Sequence, residues 1–396
     1  MGLRQLTGRY CFRCGQRVNE RAPGCPDCGE LGLLQYAYDL KDVARSLDRA
    51  ALERREPWMW RYKELLPLDE LAETPGLQVG MTPIFGAPRL AAWAGVAGLW
   101  LKDEGRNPSG SIEDRASAVV VVEAREAGRR VVAVASHAAA GPSLACFAAN
   151  MARRAVLFAP EDSALQDLAR AAGFGALVLR VAGPLASAQE LCAQACQKLR
   201  WFDRTSATSL LPFQGKKTVG HEIAEQLGER MPDWVVVPTD ADAGGETLAA
   251  LACGLDELRA LGLIKVTPRL LGVERCAAPG ALTAALSRRG EDPQWLRAGE
   301  ALRSHDGAAL AVDEQIVVEA TSETARRGAV MPDADGAAAV AGLKRAVEEG
   351  IIEPGQTALV LISGRGQHPG TPAQYIEVGR ELARVEQAVQ QAGLGN

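Results

Sequence analysis

Short runs of β-branched and other apolar residues recur along this chain, separated by longer stretches rich in alanine and leucine. The strand candidates are Leu99–Lys102, Val131–Ala135, Ala155–Ala159, Leu177–Val181, Trp234–Pro238, Arg269–Val273 and Ala358–Ile362. Helical patterns lie between them, among others at Leu185–Leu199, Val219–Leu227 and Thr247–Leu261. Near-continuous apolar runs suit strands buried on both faces. Their alternation with helices calls for parallel sheets covered by helices on each side. At 396 residues the chain is too long for one ordinary core, so two such α/β domains are expected.

Composition narrows the function classes. Hydrophobic residues make up 47% and charged residues 23%, the profile of a globular protein. The net charge of −5 leaves no basic footprint for nucleic acid or an anionic membrane. The stretch Val131–Met151 is free of charge but contains Ser136, His137, Gly141-Pro142 and Asn150. A strand, a turn and a buried helix fit it better than a membrane span. No charged segment followed by an apolar one opens the chain, so the cytoplasm is the expected compartment.

Four of the nine cysteines stand close together as Cys11-Phe-Arg-Cys14 and Cys25-Pro-Asp-Cys28, each pair followed by a glycine. Two such turns present four thiolates to one tetrahedral zinc. The alternative is a pair of disulfides, which a reducing compartment disfavours. Cys192 and Cys196 share a helix face and read as small core residues.

The chain's densest chemistry is the segment Leu101-Lys-Asp-Glu-Gly-Arg-Asn-Pro-Ser-Gly-Ser-Ile-Glu-Asp-Arg115. It closely resembles the cofactor-lysine segment of threonine synthases, enzymes of the fold type II pyridoxal phosphate (PLP) class. The family pattern runs Lys-Asp-Glu and then Asn-Pro-Thr/Ser-Gly-Ser-Phe-Lys-Asp-Arg. Trp58-Met-Trp-Arg-Tyr62, Gly80-Met-Thr-Pro83, Gly215-Lys-Lys-Thr218 and Pro232-Asp-Trp-Val-Val-Val-Pro238 also resemble the family. The likeness runs from the cysteine ribbon to about Pro369. It implies two doubly wound parallel-sheet domains of the tryptophan synthase β-like kind behind an N-terminal zinc ribbon, with the cofactor between the domains. The boundaries expected are 1–34 for the ribbon, 35–115 with 215–396 for a large domain, and 116–214 for a small one. A homodimer is implied as well.

Against that background the site departs from the pattern part by part. The lysine that carries PLP as a Schiff base in the family is Glu113 here, and a carboxylate cannot condense with an aldehyde. The family's ring-hydroxyl asparagine falls on Ala139, in Ala135-Ser-His-Ala-Ala-Ala-Gly-Pro-Ser143, and alanine has no side-chain donor. Ser136 is retained, and His137 is new, either as a cap or filler or as a ligand contact. The glycine-rich phosphate cup becomes the longer Val237-Pro-Thr-Asp-Ala-Asp-Ala-Gly-Gly-Glu246. Asp240 and Asp242 beside a phosphate dianion would cost on the order of several kcal/mol unless they face solvent or cap the helix. Ser363, in Ser363-Gly-Arg-Gly-Gln-His368, keeps a hydroxyl for the ring nitrogen. The expected cleft is lined by Glu113, Ser136, His137, Ala139, Asp240, Asp242, Gly244, Gly245 and Ser363, with Cys11, Cys14, Cys25 and Cys28 on a structural zinc. It should be more acidic than the family's.

Three readings follow. The first is a pseudoenzyme without PLP that binds a small metabolite or a protein partner. The second is an enzyme of rebuilt acid–base chemistry using Glu113, Asp114 and His137. The third is a PLP-dependent threonine synthase acting on O-phosphohomoserine, which requires another lysine and another phosphate cup.

Overall fold

The strand candidates sort into two separate parallel sheets. A computed structural model describes residues 5–393, apart from 20, 21, 23, 30, 31, 70, 206–209, 240–244, 277–279, 287–291 and 367–375. One sheet has six strands, in the spatial order Ala308–Val312, Arg269–Arg275, Trp234–Thr239, Thr357–Ile362, Gly98–Asp103 and Ile84–Gly86. All pairs are parallel except the edge strand Ile84–Gly86. The second sheet has five parallel strands, in the order Ile376–Gly379, Leu177–Val181, Arg154–Pro160, Val131–Ala135 and Phe202–Asp203.

Period-two side-chain alternation divides each sheet into two cores. In the larger sheet Val235, Val237, Leu270 and Leu359 face the helices Thr218–Leu227 and Glu246–Ala260. Trp234, Val236, Leu271 and Val360 face the helices Pro88–Ala94 and Ala334–Glu348 on the other side. In the smaller sheet Val132 and Val134 meet the helices Glu113–Glu126 and Ala140–Asn150, while Val131 and Ala133 meet Leu185–Leu199. Cys192 and Cys196 are buried in that last core, with Asp203 close by. Among the described residues no helix is long and apolar enough to cross a membrane.

The ribbon sheet, Leu6–Cys11 with Arg17–Val18 and Leu34–Tyr38, extends past residue 34, because Gln35, Tyr36 and Ala37 pair with Tyr10, Arg9 and Gly8. The C-terminal tail completes the smaller sheet. Ile376–Gly379 pairs with Leu177–Val181, and the helix Leu382–Gln391 buries Val385, Ala388 and Val389 in that sheet's outer core. The reason is an edge: without this strand, Leu177–Val181 would end the sheet with unpaired backbone groups.

The motif residues Lys102, Glu104 and Arg115 build a fully buried network with Glu222. The Arg115 guanidinium donates to Glu104 at 2.7 and 2.8 Å and to Glu222 at 2.6 and 2.7 Å. Lys102 Nζ donates to Glu222 and to the Thr82 carbonyl at 2.8 Å and to Gln226 at 2.9 Å. Two cations meet two carboxylates, so the desolvated charges cancel and each is hydrogen-bonded. This network anchors the strand Gly98–Asp103 and the start of the helix at Glu113 to the helix Thr218–Leu227.

Candidate functional site: a buried ion-pair centre at Glu113

Glu113 opens the helix Glu113–Glu126, where the helix dipole favours a carboxylate. The loop before it is folded by Asp114, whose carboxylate accepts from the Ser109 N–H at 2.6 Å and from the Ser109 hydroxyl. Gly110, at φ +89°, lets the chain turn there. The Ile112 N–H then donates to the Ser363 carbonyl at 2.8 Å, which ties this loop to the turn after strand Thr357–Ile362.

The Glu113 carboxylate lies between two cations. Lys216 Nζ is 2.6 Å from one oxygen, and the Arg204 guanidinium donates to the other. All three side chains are buried. Burial by itself would raise the Glu113 pKa, but Lys216 and Arg204 outweigh it and hold the carboxyl at about 2. Each cation reaches onward. Arg204 donates to the Ala140 carbonyl at 3.1 Å, and Lys216 pairs with Glu246 at 3.1 Å. Glu246 begins the helix Glu246–Ala260. Its cap Gly245 has φ +72°, and a Cβ there would meet the Ala298 Cβ at 2.7 Å, so only glycine fits.

Glu113 is therefore joined to three loops: the Ser363 turn through Ile112, the Ala139–Ala140 turn through Arg204, and the Gly245–Glu246 turn through Lys216. Ser363 is engaged, its hydroxyl donating to Asp333 at 3.0 Å. Burial, with Asp335 nearby, pushes the Asp333 carboxyl up to about 6. Ser136 stabilises its own turn by accepting from the Ala138 N–H at 3.1 Å. His137 pairs with Asp162 at 3.2 Å. Asp240, Asp242 and Gly244 lie outside the described residues. At Glu113 itself the carboxylate is met by Lys216 and Arg204.

Sequence reasoning missed Arg204, Lys216 and Glu246. Lys216 stands in a stretch read as scaffold, and Arg204 follows a two-residue strand without any motif. One signal was available: a carboxylate in a buried family position needs a cation beside it.

Residues 76–364 match the family described as pyridoxal-phosphate dependent enzyme. A threonine synthase of Methanocaldococcus jannaschii is 32% identical, covering 95% of this chain and 96% of its own. One of Methanosarcina acetivorans is 31% identical, covering 89% and 90%. The chain belongs to the threonine synthase family. Among solved structures, a maize serine racemase superposes with a TM-score of 0.61 at 16% identity, covering 78% of this chain and 92% of its own. The processed form of a threonine deaminase isoform from Solanum lycopersicum gives 0.60 at 17%, covering 79% and 88%. These likenesses establish the α/β fold of the type II PLP enzymes.

For a threonine synthase-family centre these contents do not fit PLP as the family holds it. Glu113 offers no amine, Ala139 offers no donor, and the Lys216 amine is engaged by two carboxylates. The cysteine cluster, by contrast, fits a metal. The four sulfurs of Cys11, Cys14, Cys25 and Cys28 lie within 4.8 Å of one another, and all four cysteines are free of disulfides. Gly15 and Gly29, at φ +73° and +57°, turn the chain after each pair. Four thiolates close a tetrahedral zinc shell and leave no catalytic position.

Proposed function

We propose that this protein is a threonine synthase-like pseudoenzyme. It lacks PLP, carries one structural zinc, forms a homodimer and works by binding a small metabolite or a protein partner. The observation that supports this reading is the state of Glu113, a buried carboxylate locked between Lys216 and Arg204 where the family places its cofactor lysine. A carboxyl held at about 2 is also too acidic to serve as a general base near neutrality. Asp114, pushed up to about 6 by burial, has a suitable value, but Ser109 holds both of its oxygens. Acid–base catalysis in this centre is therefore the weaker reading.

The test is a titration with PLP followed by an absorbance scan, borohydride reduction and mass mapping. The expected result is a colourless protein with no phosphopyridoxyl adduct and no threonine formed from O-phosphohomoserine. A stoichiometric yellow species with the adduct on Lys216 would show a relocated Schiff-base lysine and overturn the proposal.

A further inference from the structure

A cavity of ≈ 450 Å³ lies between the cysteine ribbon and the body of the protein. Tyr10 and Tyr38 line its ribbon wall, and Phe213 and Arg297 line the other. Arg297 is 5% exposed, and its guanidinium stacks on the Phe213 ring at 4.1 Å. Its Nε is a buried donor with no hydrogen-bond partner among the described residues. Among the acids on the same walls, Glu257 meets Lys217 and His221 at 2.7 Å and Glu300 meets Arg303 at 2.6 Å, while Asp256 lies 3.5 Å from His305 Nε2. Burial outweighs the attraction of Glu246 and lowers the Arg297 pKa, and stacking on a ring returns only part of what a guanidinium loses on leaving water, so its charge is partly met and Arg297 is placed to receive an anion.

A simple dianion is a poor candidate, because Asp256 and Glu300 stand at the mouth with side chains 53% and 45% exposed. We propose that this cavity binds a free amino acid with an apolar or aromatic side chain. Arg297 takes the carboxylate in a two-pronged pair, Asp256 and Glu300 attract the ammonium, and Tyr10, Tyr38 and Phe213 enclose the side chain. The volume falls in the range of small-molecule sites, about 300–1,000 Å³.

The cavity is also wired to the Glu113 centre. The helix Leu211–Lys216 presents Phe213 to the cavity and Lys216 to Glu113. The helix Glu246–Ala260 presents Cys253 and Glu257 to the cavity, while its first residue, Glu246, holds Lys216. An amino acid bound here therefore presses on both elements that position Lys216, and on the ribbon.

The experiment is calorimetry and thermal shift on the full, zinc-containing chain with L-phenylalanine, L-leucine, L-phenylalaninamide and 3-phenylpropionate. At least one amino acid is expected to bind with a sub-millimolar Kd, and the amide and the propionate at least tenfold more weakly. Arg297→Met should abolish binding while the free protein melts no lower than wild type, because a buried charge that Glu246 only partly meets has been removed. Absence of binding by both amino acids would overturn the proposal, as would equal binding of the amide. So would an Arg297→Met protein that melts lower and binds as before. If that variant fails to fold, the amide comparison on wild type still decides.

Discussion

Replacing Glu113 by lysine restores the family residue, yet it sets a third cation against Lys216 and Arg204. The cost follows from the observed pairs. Lys216 and Arg204 hold the Glu113 carboxyl at about 2 in place of the usual 4.5, which corresponds to roughly 3 kcal/mol of folding stability at neutral pH. The neutral Glu113→Gln variant should lose about that much, in the range of about 3–5 kcal/mol for breaking a buried pair. Glu113→Lys loses it too and adds repulsion of about 4 kcal/mol per cation at about 4 Å and an effective dielectric of about 20. In a domain of about 200 residues the Gln change lowers the melting temperature by roughly 6–12 °C, and the Lys change by more. Because the folded pKa lies below the unfolded one, the stabilisation is complete above about pH 4.5 and is lost as pH falls toward about 2. The gap between wild type and Glu113→Gln should therefore be full at pH 7 and begin to close below about pH 4.5. Urea unfolding across that range is the assay, and adding Lys216→Gln to Glu113→Lys should recover part of the loss. A Glu113→Lys protein that melts within about 2 °C of wild type, or that turns yellow with PLP and makes threonine, would refute the reasoning.

Metal analysis of protein purified under reducing conditions should find close to one zinc per chain, and Cys25→Ser should bring it below about half an equivalent. Less than about half an equivalent in wild type would count against the four-thiolate shell. Asp333 behaves oppositely to Glu113. Its folded pKa of about 6 lies above the unfolded 3.8, so its ionisation costs stability that appears as pH rises between those values. Asp333→Asn should gain about 1–2 kcal/mol on wild type between pH 5 and pH 8 by urea unfolding, and a constant difference would contradict the burial argument.

Much of the fold was legible because buried parallel strands need apolar runs, and Val131–Ala135 and Trp234–Thr239 are buried along their whole length. The strand Ile376–Gly379 was not, because it is a half-exposed edge carrying Glu377 and Gly379, with no period to read. At the site, the loss of an amine at 113 was plain from one letter. Its compensation was not, since Arg204 lies 91 residues away in sequence and is brought to Glu113 only by the packing of the smaller sheet. Periodicity reports which face of an element is buried, but not which distant charge that face will meet.

The route of the chain between its sheets bears on the order in which the protein can be made. The larger sheet takes strands from before and after most of the smaller one, and the smaller sheet receives its last strand from Ile376–Gly379, after every described strand of the larger sheet. A ribosome releasing residues in sequence therefore delivers four strands of the smaller sheet, then four of the larger one, and only then the fifth. Until then Leu177–Val181 is an open edge, and the apolar surface that Val385 and Val389 later cover is exposed. This segment thus seals a layer begun at Val131, and a chain that stops short of it leaves that layer exposed to pairing with another copy.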